Sequence, residues 1–109
     1  MPQLLFVSAS SGTGSEFSLG ENRAVDLVIH VPSASYGAQG VQLWGRLTDH
    51  SGSYSPLQST PLSGSSPQRT ITLEGLYRFA DVGGTTIRAR VEKSGSNEIT
   101  IAANTILKK

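Results

Sequence analysis

The stretch Thr70–Ile101, TITLEGLYRFADVGGTTIRARVEKSGSNEITI, decides the reading of the fold. Its apolar residues fall on alternate positions, and Gly-, Ser- and Asn-bearing pairs interrupt them, which is the pattern of short strands buried on one face. It predicts four strands joined by three tight turns. Ile71 and Leu73 are expected to face one way, and Thr70, Thr72 and Glu74 the other. Beyond a sharp turn at Gly75, Tyr77 and Phe79 alternate with Leu76 and Arg78. Asp81-Val82-Gly83-Gly84 reads as a hairpin, because glycine supplies the positive φ that primed two-residue turns demand. Ile87, Ala89 and Val91 then face inward, and Arg88, Arg90 and Glu92 outward. Ser94-Gly95-Ser96-Asn97 makes the next turn, Ile99 and Ile101 close the pattern, and Asn104–Leu107 is expected as a last edge strand.

Moving toward the N-terminus, Ala24–Val31 repeats the signal, with Val25, Leu27, Ile29 and Val31 on the core face and Asp26, Val28 and His30 opposite. Pro32 ends that strand because it cannot donate to a ladder, and SASYGAQG turns the chain through Gly37 and Gly40. Val41–Thr48 forms the next strand, with Val41, Leu43 and Leu47 inward and Gln42, Trp44, Arg46 and Thr48 outward. Leu4–Ser8 is an opening strand, with Leu5 and Val7 on one face and Leu4 and Phe6 on the other. Ser8–Asn22 breaks it, and Phe17 and Leu19 form a short paired segment within that break. Asp49–Gln68, DHSGSYSPLQSTPLSGSSPQ, has three prolines, many serines and no periodicity, so it is expected as a long irregular loop or arm. Leu57 and Leu62, each beside a proline, are its candidate anchors on a neighbouring molecule.

With 109 residues the chain is expected to be one domain, 1–109, large enough for one core without staples. No window carries helical spacing. About eight strands with turns every eight to twelve residues predict an all-β fold, an antiparallel β-sandwich of jelly-roll type, with a barrel as the alternative. There is no cysteine, which excludes disulfides, thiolate chemistry and cysteine-based zinc sites. Nine basic side chains against eight acidic ones give +1, too little field for nucleic acid or an anionic membrane. The apolar run opening MPQLLFVSAS is shorter than a signal peptide's and far short of a membrane span.

Chemistry is sparse. Gly12-Thr13-Gly14 lacks the following Gly-Lys-Ser/Thr and the helix of a phosphate-binding loop, so it reads as a connection or bulge. Asp49-His50-Ser51 holds the residue types of a hydrolase triad, but neighbours in an extended chain point to opposite sides, and a turn is expected. Asp26 and His30 share a strand face, yet two ligands fall short of a zinc or iron site. Among Glu16, Glu21, Asp26, Asp49, Glu74, Asp81, Glu92 and Glu98 no spacing selects a glycosidase pair. The expectation is a protein with no enzymatic activity, catalytic residue, metal or cofactor.

Partner binding is the better-marked chemistry. Arg88 and Arg90 lie on one strand face, and a hairpin would bring Arg78 beside them. A row of like charges repels itself unless acids interleave. Two readings stand: a solvated face balanced by Glu74 and Glu92, or an interface where arginine forks pair carboxylates of an acidic protein. Trp44 likewise either covers a sandwich edge or, with Arg46, sits in an interface where such residues concentrate binding energy. The partner-binding candidates are therefore Trp44, Arg46, Leu57, Leu62, Arg78, Arg88 and Arg90.

The segment LEGLYRFADVGGTTIRARVEKSGSNEITI resembles the Gly- and Ser-punctuated β-segments of small virion proteins of tailed bacteriophages, in particular capsid decoration (cement) proteins. The likeness rests on a GLYRF strand, a Gly-Gly turn and an SGSN turn before ITI. It implies a non-enzymatic module, often a homotrimer, made in the host cytoplasm and placed on the capsid exterior. There it would bind the major capsid protein and stabilise the head. A tail or head-fibre component would suit the same likeness. A carbohydrate-binding sandwich is the competing class, with Trp44, Tyr36, Tyr54 and Tyr77 as its stacking supply.

Overall fold

The computed structural model describes residues 3–19, 25–47, 53–62, 64 and 67–107. These form ten strands: β1 Gln3–Ser8, β2 Gly12–Thr13, β3 Phe17–Ser18, β4 Val25–Val31, β5 Tyr36–Leu47, β6 Ser55–Pro56, β7 Thr60–Pro61, β8 Gly75–Phe79, β9 Thr85–Lys93 and β10 Ile99–Leu107. They build two antiparallel sheets. The first has the order β1-β10-β4-β8-β7, and the second β2-β9-β5-β6, with β3 also paired to β9. With β2 and β3 taken as one interrupted strand, this is the jelly-roll wiring expected from the sequence. No helix among the described residues is long and apolar enough to cross a membrane.

The core lies between the sheets because each major strand turns an aliphatic row inward. Val25, Leu27, Ile29 and Val31 of β4 meet Ile87, Ala89 and Val91 of β9, together with Val41, Leu43, Phe79, Ile99 and Ile101 in one cluster. Two tyrosines, Tyr36 partly buried and Tyr77 buried, pin the arches: Tyr36 donates its hydroxyl to the Pro32 carbonyl at 2.6 Å and Tyr77 to the Leu73 carbonyl at 2.8 Å. Burial pushes both phenol pKa values up, with Glu74 adding to the effect at Tyr36. A buried phenol with a carbonyl acceptor stays neutral and held.

Several expected faces differ. Leu5 and Phe6 are both buried while Leu4 and Val7 are about half exposed, because a bulge between Leu4 and Phe6 shifts the register against β10 and breaks the alternation. Leu47, expected inward, is 62% exposed at the end of β5. Ile71 is buried but belongs to no strand; it makes an isolated bridge to Val41, and Leu73 is 72% exposed. The residues 81–84 do not close a hairpin. β8 lies in the first sheet and β9 in the second, so this turn carries the chain across the sandwich, with Asp81 at φ 57° and its N–H held by the buried Asp26 carboxylate at 2.9 Å. The turn at 94–97 likewise crosses from β9 to β10. Asn104–Leu107 continues β10, which lies between β1 and β4 rather than at an edge.

The 49–68 segment is a strap rather than a free arm where it is described. Its β6 pairs with β5 of the second sheet, and its β7 with β8 of the first. Ser59 and Gln68 exchange two backbone hydrogen bonds of 2.7 Å, and Leu57 donates its N–H to Leu43 while packing on the core. Asp49-His50-Ser51 lies outside the described residues, as do Glu21, Ala24, Thr48 and the terminal lysines.

Candidate partner-binding face

The outward row of β9 and that of β5 stand side by side on the second sheet. Trp44 is in register with Arg88, Gln42 with Arg90 and Arg46 with Thr86. Tyr54, just before β6, folds over this face. The Arg88 guanidinium carbon lies 4.0 Å from the centre of its ring and that of Arg46 5.4 Å away, while Arg90 lies 4.8 Å from the centre of the Trp44 ring. Each such contact stabilises by about 0.5–1 kcal/mol at an exposed site. Each of the three guanidinium groups on this face thus rests near an aromatic ring.

Glu16, between β2 and β3, closes the cluster. It accepts a hydrogen bond from the Tyr54 hydroxyl and pairs with Arg46 at 3.6 Å. The Tyr54 hydrogen bond, with the Arg46 charge beside it, holds the Glu16 carboxyl below the usual carboxylate range. Tyr54 and Glu16 together raise the Arg46 pKa. The Arg88 Nε is buried and meets no hydrogen-bond acceptor among the described residues. Burying a donor in this way is costly, and the contact of the guanidinium with the Tyr54 ring offsets part of that cost.

Beside the cluster a shallow recess of about 490 Å³ is lined by Trp44, Arg90, Gln42, Gln39, Glu92 and Thr13. A chain of hydrogen bonds fixes its walls. The Trp44 indole donates to Gln42 at 3.0 Å, Gln42 donates to Gln39 and to the Thr70 hydroxyl at 3.0 Å each, and the Gln39 N–H donates to Glu92 at 3.0 Å. This face can meet carboxylates with planar forks whose freedom is already spent on aromatic rings.

One solved structure resembles the chain throughout. The crystal structure of SPBc2 prophage-derived protein YomS superposes with a TM-score of 0.66, covering 99% of this chain and 92% of that one at 16% identity. At that identity the likeness establishes a shared fold. No protein-family model matches the chain, and no curated protein matches it.

Of the seven candidate residues, Trp44, Arg46, Arg88 and Arg90 share this face. Leu57 lies beneath the neighbouring strap, against the chain's own core. Arg78 does not join the other arginines: it is exposed on β8 of the opposite sheet, because residues 81–84 cross the sandwich. Leu62 lies on that same sheet, beside Leu76. Tyr54 and Glu16 join these four on the face although neither is among the seven candidates. No periodicity marks either, since both come from irregular segments that tertiary packing lays over the arginines. Among the described residues no three His, Asp or Glu side chains group as a metal site. Asp26 spends its carboxylate on the Asp81 N–H, and His30, four residues along an extended strand, is about 13 Å away.

Proposed function

We propose that this chain is a non-enzymatic structural protein of a tailed-phage particle, a capsid decoration (cement) protein that grips acidic segments of the major capsid protein. The observation that carries the proposal is the Arg46–Tyr54–Arg88 stack with Arg90 on Trp44. It is a cationic, aromatic surface of the kind that concentrates binding energy. The fold shared with a prophage-derived protein supports a place in phage biology, as does the segment resemblance. Because Arg90 covers a face of the Trp44 ring, sugar stacking there would require displacing it, which favours a protein partner over a glycan.

The test is cosedimentation with intact particles and with heads separated from tails. Wild-type protein is expected to pellet with heads, and immunogold labelling to mark the capsid exterior. The R88E/R90E variant is expected to stay folded by circular dichroism and to remain in the supernatant. Equal pelleting of that variant at physiological salt would overturn the arginine interface, and labelling confined to tails would move the protein to the tail.

A further inference from the structure

The outer face of the first sheet has no part in that grip, and it carries a different chemistry. One transverse row crosses β1, β10, β4 and β8 and reaches Leu62, just past β7. Leu4 is in register with Ala102, Ala102 with His30 and His30 with Leu76, and Leu62 donates its N–H to the Leu76 carbonyl at 3.0 Å. Leu4 and Leu62 are each 53% exposed and Leu76 48%, with Val7 and Ile106 similar. A dimple of about 140 Å³ beside His30, Leu76 and Ala102 marks the middle of the face. The inner residues of these strands already form the core. Exposed leucines in a row on the outer face of an antiparallel sandwich, among polar neighbours such as Asn104 and Arg78, mark an interaction surface.

The flanking charges identify the occupant. Glu74, in the bend just before β8, and Arg78, within it, stand two residues to either side of Leu76, so the two charges flank the row along the chain. Both are exposed, and neither has an ion-pair partner among the described residues. A two-fold axis along the row, lying between two copies, sets each row residue against its own counterpart and brings Glu74 of each copy to Arg78 of the other. An axis along β4 would instead set Arg78 against Asn104 and leave both charges unmatched.

We propose that this face pairs with a second copy of the chain about a two-fold axis along the Leu4–Ala102–His30–Leu76–Leu62 row, flanked by two reciprocal Glu74–Arg78 ion pairs. Five strands at a spacing of about 4.8 Å, over about 20 Å of strand, give roughly 480 Å² per copy and about 1,000 Å² for the pair. That is about the least area a specific interface uses, which suits a weak, reversible pair. It leaves the arginine face of the second sheet pointing away from the contact on both copies. The pair is a dimer; a three-fold ring would need another surface.

Sedimentation velocity across a concentration series tests this independently of capsid binding. Wild type is expected to show a monomer–dimer equilibrium. R78E turns both ion pairs into repulsions and weakens association about tenfold or more. The reversed pair E74R/R78E restores it to near the wild-type constant, and L76R abolishes it. Glu74 and Arg78 are exposed, so the exchange keeps the fold, which circular dichroism checks. A strict monomer at every concentration overturns the proposal. So does an oligomer of any size that R78E leaves intact, or a double variant as weak as R78E. R88E/R90E is expected to dimerise as wild type does, so loss of capsid binding and loss of pairing are read separately.

Discussion

Gly40 offers the sharpest test of how backbone geometry shapes the recess. It ends the bulge that lets both Tyr36 and Val41 pair with β9, and it sits at φ +50°, where glycine is favoured. A Cβ there would press into the Ile71 carbonyl oxygen and lie 2.9 Å from Thr72 Cγ2. That carbonyl accepts the Val41 N–H at 2.8 Å, and the Ile71 N–H returns to Val41 at 2.9 Å. Gly40→Ala therefore costs about 1–2 kcal/mol for a left-handed alanine and about 2 kcal/mol for the displaced two-bond bridge. The sum, about 3–4 kcal/mol, lowers Tm by about 12–16 °C in a domain of this size. Gly95→Ala is the comparison. Its φ is +86° but nothing lies within 4 Å of the added carbon, so only the conformational cost of about 1–2 kcal/mol applies. Calorimetry or urea unfolding of both variants measures the difference. Equal losses would mean that the Ile71 bridge yields without cost, and the steric argument would fail.

Phe79 is 1% exposed in the core, so Phe79→Ala is expected to lose about 3–5 kcal/mol in urea unfolding; a loss under 1 kcal/mol would mean that the core refills. The Glu16 carboxyl should titrate below the usual range in an NMR pH series, and Tyr54→Phe should move its midpoint upward, because the Tyr54 hydrogen bond is the leading cause of the depression. The sign follows: a depressed carboxyl contributes above its unfolded pKa and loses that contribution as pH falls through its folded value. Closure of Tyr54 over Arg88 should therefore loosen on acidification, read as a rise in tyrosine mobility or a change in its fluorescence. An unchanged Glu16 midpoint in the phenylalanine variant would remove Tyr54 from the cluster's electrostatics.

What could be read from residue order was what each strand demands locally. The runs Val25–Val31 and Ile87–Val91 and the pair Ile99 and Ile101 alternate as expected, since burial on one face of a pleated strand imposes a period of two whatever the strand's neighbour. The sandwich class followed, as did the outward side of Trp44 and Arg46 on one strand and of Arg88 and Arg90 on another; that these two strands pair and share a face did not. Tertiary packing decided which strands meet. The turns at 81–84 and 94–97 use the same glycine conformations whether the next strand pairs beside the last one or crosses to the other sheet, so no local signal separates a hairpin from a crossover. That choice, made by the burial of distant aliphatic faces against one another, put Arg78 and Leu62 on one side of the protein and the arginine–aromatic cluster on the other. It also brought Tyr54 and Glu16 from irregular segments onto arginines that the sequence places far from them.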